Sequence, residues 1–469
     1  MVMKIDNHEL TEKQEEVVNY AGEELLIKGI AGSGKTTVLL RKAVKLIEKN
    51  PNVKIALFTY NKTLSKYVKQ IAEKIGGDNL FVYTFHGWAF GAIKYVQNKR
   101  FLTVASGPDQ KQYLKQAKAL VAKNSKHRFV SDDKYTDFLL EEISWMKGKG
   151  IGKKEQYLSV SRSGRGSTVR VTKADRTTVF GLFEAYENAR IQSGKIEFDD
   201  FASILLKDTR KVKNKYDFDV VMVDEAQDLQ QLQLQLLNTI TKKTFIVAAD
   251  KGQKIYKTSF SWKDIGINIL GGRTKVLENS FRSTKQIIQL AHSLQMNDSI
   301  IHDDEYVAPI YPNYSGPMPD IYSCTSKVKQ DAVIVDSIET LRKEHPNWTI
   351  GVLSRNWKGV NRLYHSLQAK GIPHEFIKKD QGDTLSSGIK MTTFHSAKGL
   401  EFDCVIIMDL VADAPDQELK DEEYLEVERR LLYVSITRAK SYLQIYYYGE
   451  PSTFIAEMDS EYYNSQEIK

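Results

Sequence analysis

Residues 29 to 36 read Gly29-Ile-Ala-Gly32-Ser33-Gly34-Lys35-Thr36, and this octet dictates its own surroundings. Backbone N–H groups close around an anion only where no Cβ blocks the approach, so the glycines ask for a tight phosphate-cradling loop. Lys35 then sets a point charge on the β- and γ-phosphates of a nucleoside triphosphate, and the Thr36 hydroxyl reaches Mg²⁺. Such a loop works between a strand and a helix whose N-terminus faces the phosphates. Leu25-Leu26-Ile27 is the strand expected before it, and the stretch from Thr37 to Ile47 has helical apolar spacing. That context separates the octet from an ordinary glycine-rich turn.

A second box, Asp224-Glu225-Ala-Gln-Asp228, follows the apolar run Val220-Val-Met-Val223. An unbroken apolar run reads as a parallel strand covered on both faces, and carboxylates project from its carboxyl end. One acid, Asp224, suits the metal shell beside Thr36, and the other, Glu225, suits the attacking water. Alone, two acids after a strand are often a solvated loop. Paired with the cradle, they point to hydrolysis of a nucleoside triphosphate.

Strand-like and helical runs alternate at both ends of the 469-residue chain, the pattern of parallel α/β sheets. Ile55–Phe58, Leu80–Tyr83 and Thr244–Ala248 join the first unit, and Thr349–Leu353, Ile389–Thr392, Cys404–Met408 and Tyr442–Tyr446 the second. Residues 91–195 break the alternation with helical stretches such as 110–122 and 134–145. The expectation is therefore an α/β chain with one sheet domain from 1–90 and 196–273, a mainly helical insertion at 91–195, and a second sheet domain at 274–469. The second half has no cradle of its own.

The formal net charge is +7, and its location matters more than its size. Between Lys147 and Arg176 lie nine Lys or Arg and two acids. Interleaved Gly and Ser around Arg162, Arg165 and Arg170 suggest a flexible basic loop. A solvated face is the bland account; contact with a nucleic-acid backbone is the functional one. The acidic stretch 409–428 reads as an exposed loop leading into a helix. Cys324 and Cys404 have neither metal-ligand spacing nor a disulfide framework, which fits a reducing, cytoplasmic setting. No leader-like start and no membrane-spanning apolar run is present in the sequence, so no membrane partner is expected.

Further motifs follow in order along the chain: Leu10-Thr-Glu-Lys-Gln14, Phe58-Thr-Tyr60-Asn61-Lys62, Thr84-Phe85-His86-Gly87, Ala249-Asp-Lys-Gly-Gln253-Lys-Ile-Tyr256 with Trp262, Asn279-Ser-Phe281-Arg282, Thr393-Phe-His395-Ser-Ala-Lys-Gly-Leu-Glu401, and Glu428 to Arg438. Together with the cradle and the acid box, they resemble a superfamily 1 helicase of the UvrD/Rep type over almost the whole chain. The resemblance implies two RecA-like domains with the ATP site in the cleft between them. It implies that Gln14 reads adenine, since an amide suits adenine's edge, and that Phe281 stacks on the base while Glu401 binds the ribose. It also implies that Gln253 senses the γ-phosphate and that Arg282 and Arg438 act as arginine fingers. Gly29, Gly32, Ser33, Gly34, Lys35, Thr36 and Thr37 would hold the triphosphate. Nucleic-acid contacts are implied at Tyr60, Asn61, Phe85, His86, Tyr256, Trp262 and His395, with Arg162 and Arg165 added from the basic loop.

The implied partner is single-stranded DNA and its junctions with duplex, with movement 3′ to 5′; stacking and backbone grips suit RNA as well. The family usually has Phe where this chain has Thr59, and Tyr60 is adjacent, which leaves open which aromatic stacks. Only about twenty residues separate Gly371-Ile-Pro373 from Thr393, so the family's accessory 2B domain is expected to be absent or vestigial. Two alternatives stand beside the helicase: a translocase that does not separate strands, and a strand-stimulated sensor that gates a partner such as a nuclease.

Overall fold

Apolar runs too short for helices and flanked by turn residues become strands here. The computed structural model describes residues 9–59, 79–162, 169, 171–254, 260–377, 386–412 and 422–468. In the first half they are β1 (Glu24–Gly29), β2 (Ile55–Thr59), β3 (Leu80–Thr84), β4 (Val220–Val223), β5 (Thr244–Ala249) and β6 (Thr274–Leu277). They form one sheet in the order β3-β2-β4-β5-β1-β6, with every pairing parallel. Because the sheet is parallel, its helices cover both faces. One face packs around Phe58, Trp88, Phe201 and Leu237, the other around Leu25, Val38, Leu57 and Met222.

The second half contains β7 (Asp320–Cys324), β8 (Thr349–Ser354), β9 (His374–Phe376), β10 (Gly388–Thr393), β11 (Phe402–Met408), β12 (Ala439–Tyr448) and β13 (Asn464–Ile468). Their order is β13-β7-β12-β11-β8-β10-β9, again all parallel. This half too has a core on each face, one built on Phe402, Val405 and Leu431, the other on Ile334, Ile350 and Leu363. Two parallel α/β sheet domains are thus present, as the alternation requires.

Two boundaries differ from the sequence expectation. Residue 274 does not open the second domain: β6 pairs with β1 from Leu26–Thr274 to Gly29–Leu277, so the first sheet runs through Leu277. Its residues are half-buried except Leu277, which is what an edge strand looks like and why it lacks a core signature. Residue 91 does not open the insertion: it lies inside the helix Phe85–Val96, whose Ala92 and Ile93 belong to the first half's core.

The chain instead leaves the first half at Val104, which bridges in parallel to Ile196 on the way back. Between these points, helices Gly107–Val121, Thr136–Lys149 and Lys173–Ser193 close over their own core of Leu114, Phe129, Met146, Tyr157 and Phe180. At the base of this unit the buried Lys147 ammonium sits among Glu187, Glu197 and Asp200. Far along the chain, β9 ends at Phe376 and β10 begins at Gly388. Residues 378–385 of this connection, where the 2B insertion is expected to be absent or vestigial, lie outside the described residues. No described helix is long and apolar enough to cross a membrane, and both cysteines are free and buried.

Candidate functional site

The cradle forms because two glycines take a backbone that other residues resist. Gly32 has φ 74° and Gly34 has φ 81°. A Cβ on Gly32 would come within 2.6 Å of the Arg282 Cβ, and one on Gly34 within 2.7 Å of the Gln14 amide. The loop leaves β1 at Gly29 and enters the helix Lys35–Lys49, whose N-terminus faces the cradle. Ser33 is buried and its hydroxyl has no hydrogen-bond partner among the described residues. Thr37 is half-buried in the first helical turn. Lys35 is buried, and its ammonium donates to the carbonyls of Gly29 at 3.0 Å and Ile30 at 2.8 Å, with Asp250 Oδ2 at 3.4 Å.

Thr36 Oγ1 donates to Asp224 Oδ2 at 2.6 Å. A hydroxyl and a carboxylate converging beside a phosphate cradle are the hard oxygen ligands that Mg²⁺ selects. These residues therefore fit the ion. Glu225, the next residue, holds φ 53°, an uncommon conformation for a residue with a side chain, and this turns its carboxylate from the strand into the cleft. Burial and the neighbouring Glu225 push Asp224 up. Burial would raise Glu225 as well, but Lys398, Lys35 and Arg438 hold it below the ordinary range.

From Glu225 a chain of hydrogen bonds crosses to the other half. Gln227 donates to Glu225 and accepts from the Asp250 N–H at 3.0 Å. Gln253 donates to Asp250, and Arg438 Nη2 donates to Gln253 Oε1 at 2.9 Å. Arg438 is fully buried and also donates from Nε to Val434 O at 2.9 Å. Burial, then the like charge of Arg282, lowers it to about 10. Arg282 donates from Nε to Glu401 Oε1 at 2.8 Å. Burial alone would raise Glu401, yet Arg282, Lys440 and Arg438 hold it at about 2.

Gln14 sits at the rim, its Nε2 donating to Ser33 O at 3.1 Å, where a capping box with Thr11 fixes it. Phe281 is exposed, and its N–H donates to Gly32 O at 2.9 Å. Residues from both halves thus meet around the cradle. Sequence reasoning missed four of them: Gln227, Asp228, Asp250 and Lys398. The signal available was the tail of the acid box and the lysine in Phe394-His-Ser-Ala-Lys398.

The two Thr-Phe-His segments are built alike. Thr84 Oγ1 accepts from Gly87 N at 3.3 Å, and Thr393 Oγ1 from Ser396 N at 3.4 Å, so each threonine caps a helix. Phe85 and Phe394 are buried anchors, while His86 is half-buried and His395 exposed. Phe85 therefore packs the core and offers no face to a strand. Exposed Phe198, which the motifs did not single out, stands edge-on to His86 with ring centroids 5.2 Å apart. Trp262 is likewise a core residue, edge-on to Phe260 at 5.4 Å. Arg162 grips the buried Glu142 and serves the inserted unit's own fold. Tyr60, Asn61, Arg165, Arg170 and Tyr256 lie outside the described residues.

The model of the UvrD/REP helicase N-terminal domain matches residues 10–264, and that of the UvrD-like helicase C-terminal domain matches residues 377–450. Among curated proteins, a probable DNA helicase II homolog of Mycoplasma capricolum is 27% identical over 375 residues, covering 74% of this chain and 49% of that protein. A probable DNA helicase of Mycoplasma pneumoniae is 25% identical over 484 residues, covering 93% and 84%. The ATP-dependent DNA helicase PcrA of Leuconostoc citreum is 23% identical over 461 residues, covering 92% and 56%. The chain thus spans about half the length of the first and third of these relatives.

Proposed function

We propose that this chain, which belongs to the UvrD/REP helicase family, hydrolyses ATP between its two sheet domains and uses the cleft's closing and opening to move along single-stranded DNA. The observation that carries this is the Arg438–Gln253 hydrogen bond, which brings a cation of the second half to the hydrolytic residues of the first. A phosphoryl-transfer site needs cations opposite its cradle.

Lys35 leaves its loop carbonyls for the β- and γ-phosphates. Asp224 and Thr36 would hold Mg²⁺, which when bound offsets charge on the phosphate oxygens. Glu225 orients the attacking water, and Gln253 passes the presence of the γ-phosphate to Arg438. Arg282 and Arg438 stabilise the charge that builds in the transition state. Phe281 stacks on the base, Glu401 takes the ribose, and Gln14 reads adenine. Loss of the γ-phosphate removes what holds the halves together, so strand grips on the two halves change their spacing. His86 and His395 head the two helices placed to carry those grips.

The direction, 3′ to 5′, follows the family resemblance. The short connection between β9 and β10 favours a second reading, a translocase that moves without separating strands. A sensor gating a partner nuclease is the third. ATPase rate measured with single-stranded DNA, duplex DNA and single-stranded RNA tests the main reading; no stimulation by any of them overturns it. Forks with a 3′ or a 5′ tail separate unwinding from translocation and fix the direction.

A further inference from the structure

The sequence places the chain's excess positive charge between Lys147 and Arg176, but the fold consumes much of it. Lys147 is enclosed by three carboxylates, Arg162 by Glu142, and Arg176 donates to the carbonyls of Tyr157, Leu158 and Val160. Free cations collect elsewhere. The helix Phe85–Val96 ends in Lys94 and Tyr95, followed by Lys99, Arg100 and Phe101. Beside it lies the helix Thr209–Lys215, with Arg210 and Lys215 exposed. Among the described residues none of these five cations forms an ion pair with a carboxylate, although the charge of Arg210 acts on Asp208. Of the acids nearest in sequence, Asp208 pairs with Lys211 at 3.0 Å, and Asp217 pairs with Lys54 and Lys242.

The exposed aromatics of this surface stand beside its cations. Lys215 Nζ stands 4.5 Å from the Tyr95 ring centre, and the Arg100 guanidinium 5.4 Å from that of Phe101. An exposed cluster of cations matches the charge of a phosphate backbone. The position fits too. The helix Phe85–Val96, with His86 in its first turn, carries this surface at its other end. Tyr95 follows His86 by nine residues, which puts the two about 14 Å apart, the length of roughly four base pairs.

We propose that this face, from Lys94 to Phe101 together with Arg210 and Lys215, binds the backbone of double-stranded nucleic acid on the duplex side of a junction whose single strand is held at His86. The proposal rests on the strand-binding reading above. It also gives the chain a duplex grip that needs no domain between β9 and β10.

The test compares the full chain with a Lys94→Gln, Lys99→Gln, Arg100→Gln, Lys215→Gln variant, and with a Lys99→Glu, Arg100→Glu variant that leaves both helices untouched. Binding to a tailed hairpin duplex and to a single strand of about eight nucleotides is measured against salt. The tailed duplex should bind at least about tenfold more weakly, and its log–log salt slope should flatten by about 0.9 for each phosphate no longer neutralised. Affinity for the short strand and the ATPase it stimulates should hold within about twofold, the margin of a distant surface change. An unchanged slope on the duplex overturns the proposal, as does equal weakening on both probes. If wild type binds neither probe, the strand-binding reading itself has failed.

Discussion

Lys398 reaches across the cleft from the second half to Asp228 of the first, Nζ to Oδ1 at 2.7 Å, with both side chains buried. The same ammonium donates to Gln253 O at 2.8 Å. A residue of the second half is therefore a structural member of the first half's catalytic wall. The Asp228 Oδ2 has no partner among the described residues, and burial pushes the acid up to about 7 despite Lys398.

A buried acid with a raised pKa keeps a proton in the folded chain that the unfolded chain has already released. Its contribution to stability is therefore present at low pH and lost as pH rises from about 4 to about 7. Asp228→Asn should remove that loss. The melting temperature of wild type minus that of Asp228→Asn, measured from pH 4.5 to 7.5, should fall as pH rises; a constant or growing difference contradicts the assignment.

Glu225→Gln should bind ATP and lose turnover by about 10²–10⁴-fold, the range for a positioned general base. Nucleotide titration and steady-state hydrolysis read the two separately. Retention of more than about a tenth of wild-type turnover would remove Glu225 from that role.

Arg438→Ala should abolish strand-stimulated hydrolysis while leaving single-strand affinity within about threefold, since its Nη2 bond to Gln253 crosses the cleft. Stimulated kcat and strand binding by anisotropy check this. An unchanged kcat would mean that hydrolysis does not draw on the second half.

Arg162→Ala should destabilise the chain by about 3–5 kcal/mol, because it removes a guanidinium that pairs with the buried Glu142. Chemical denaturation measures the loss. The salt dependence of strand binding should stay as in wild type. A flattened slope with unchanged stability would restore Arg162 as a backbone contact.

The legible parts of this protein are those where physics leaves one solution. Val220–Val223 is a strand over the same four residues as the apolar run, and the glycines of the cradle take positive φ where a Cβ would collide. Elements without an apolar signature stay hidden. β13 is Asn-Ser-Gln-Glu-Ile, exposed along nearly its whole length, and only the main chain of β7 makes it a strand. Aromatic residues mislead for a related reason: sequence shows a ring but not which way it faces, so Phe85 and Trp262 read as strand contacts and are core. Charge misleads likewise, since Arg162 is spent on a carboxylate 20 residues away. Lys398 and Asp228, 170 residues apart, become partners only once the two halves are placed together.

At the neck of the inserted unit, Ala105 N donates to Ile196 O at 2.8 Å, and Ile196 N to Thr103 O at 3.0 Å, so the inserted helices begin and end at adjacent points. A module joined to its host this way is interchangeable in principle. A tight turn from Thr103 to Ile196 would restore a continuous host chain with β1 to β6 in place, and a different helical unit could be spliced at the same joint. The inserted helices can therefore change without disturbing the sheet that carries the cradle.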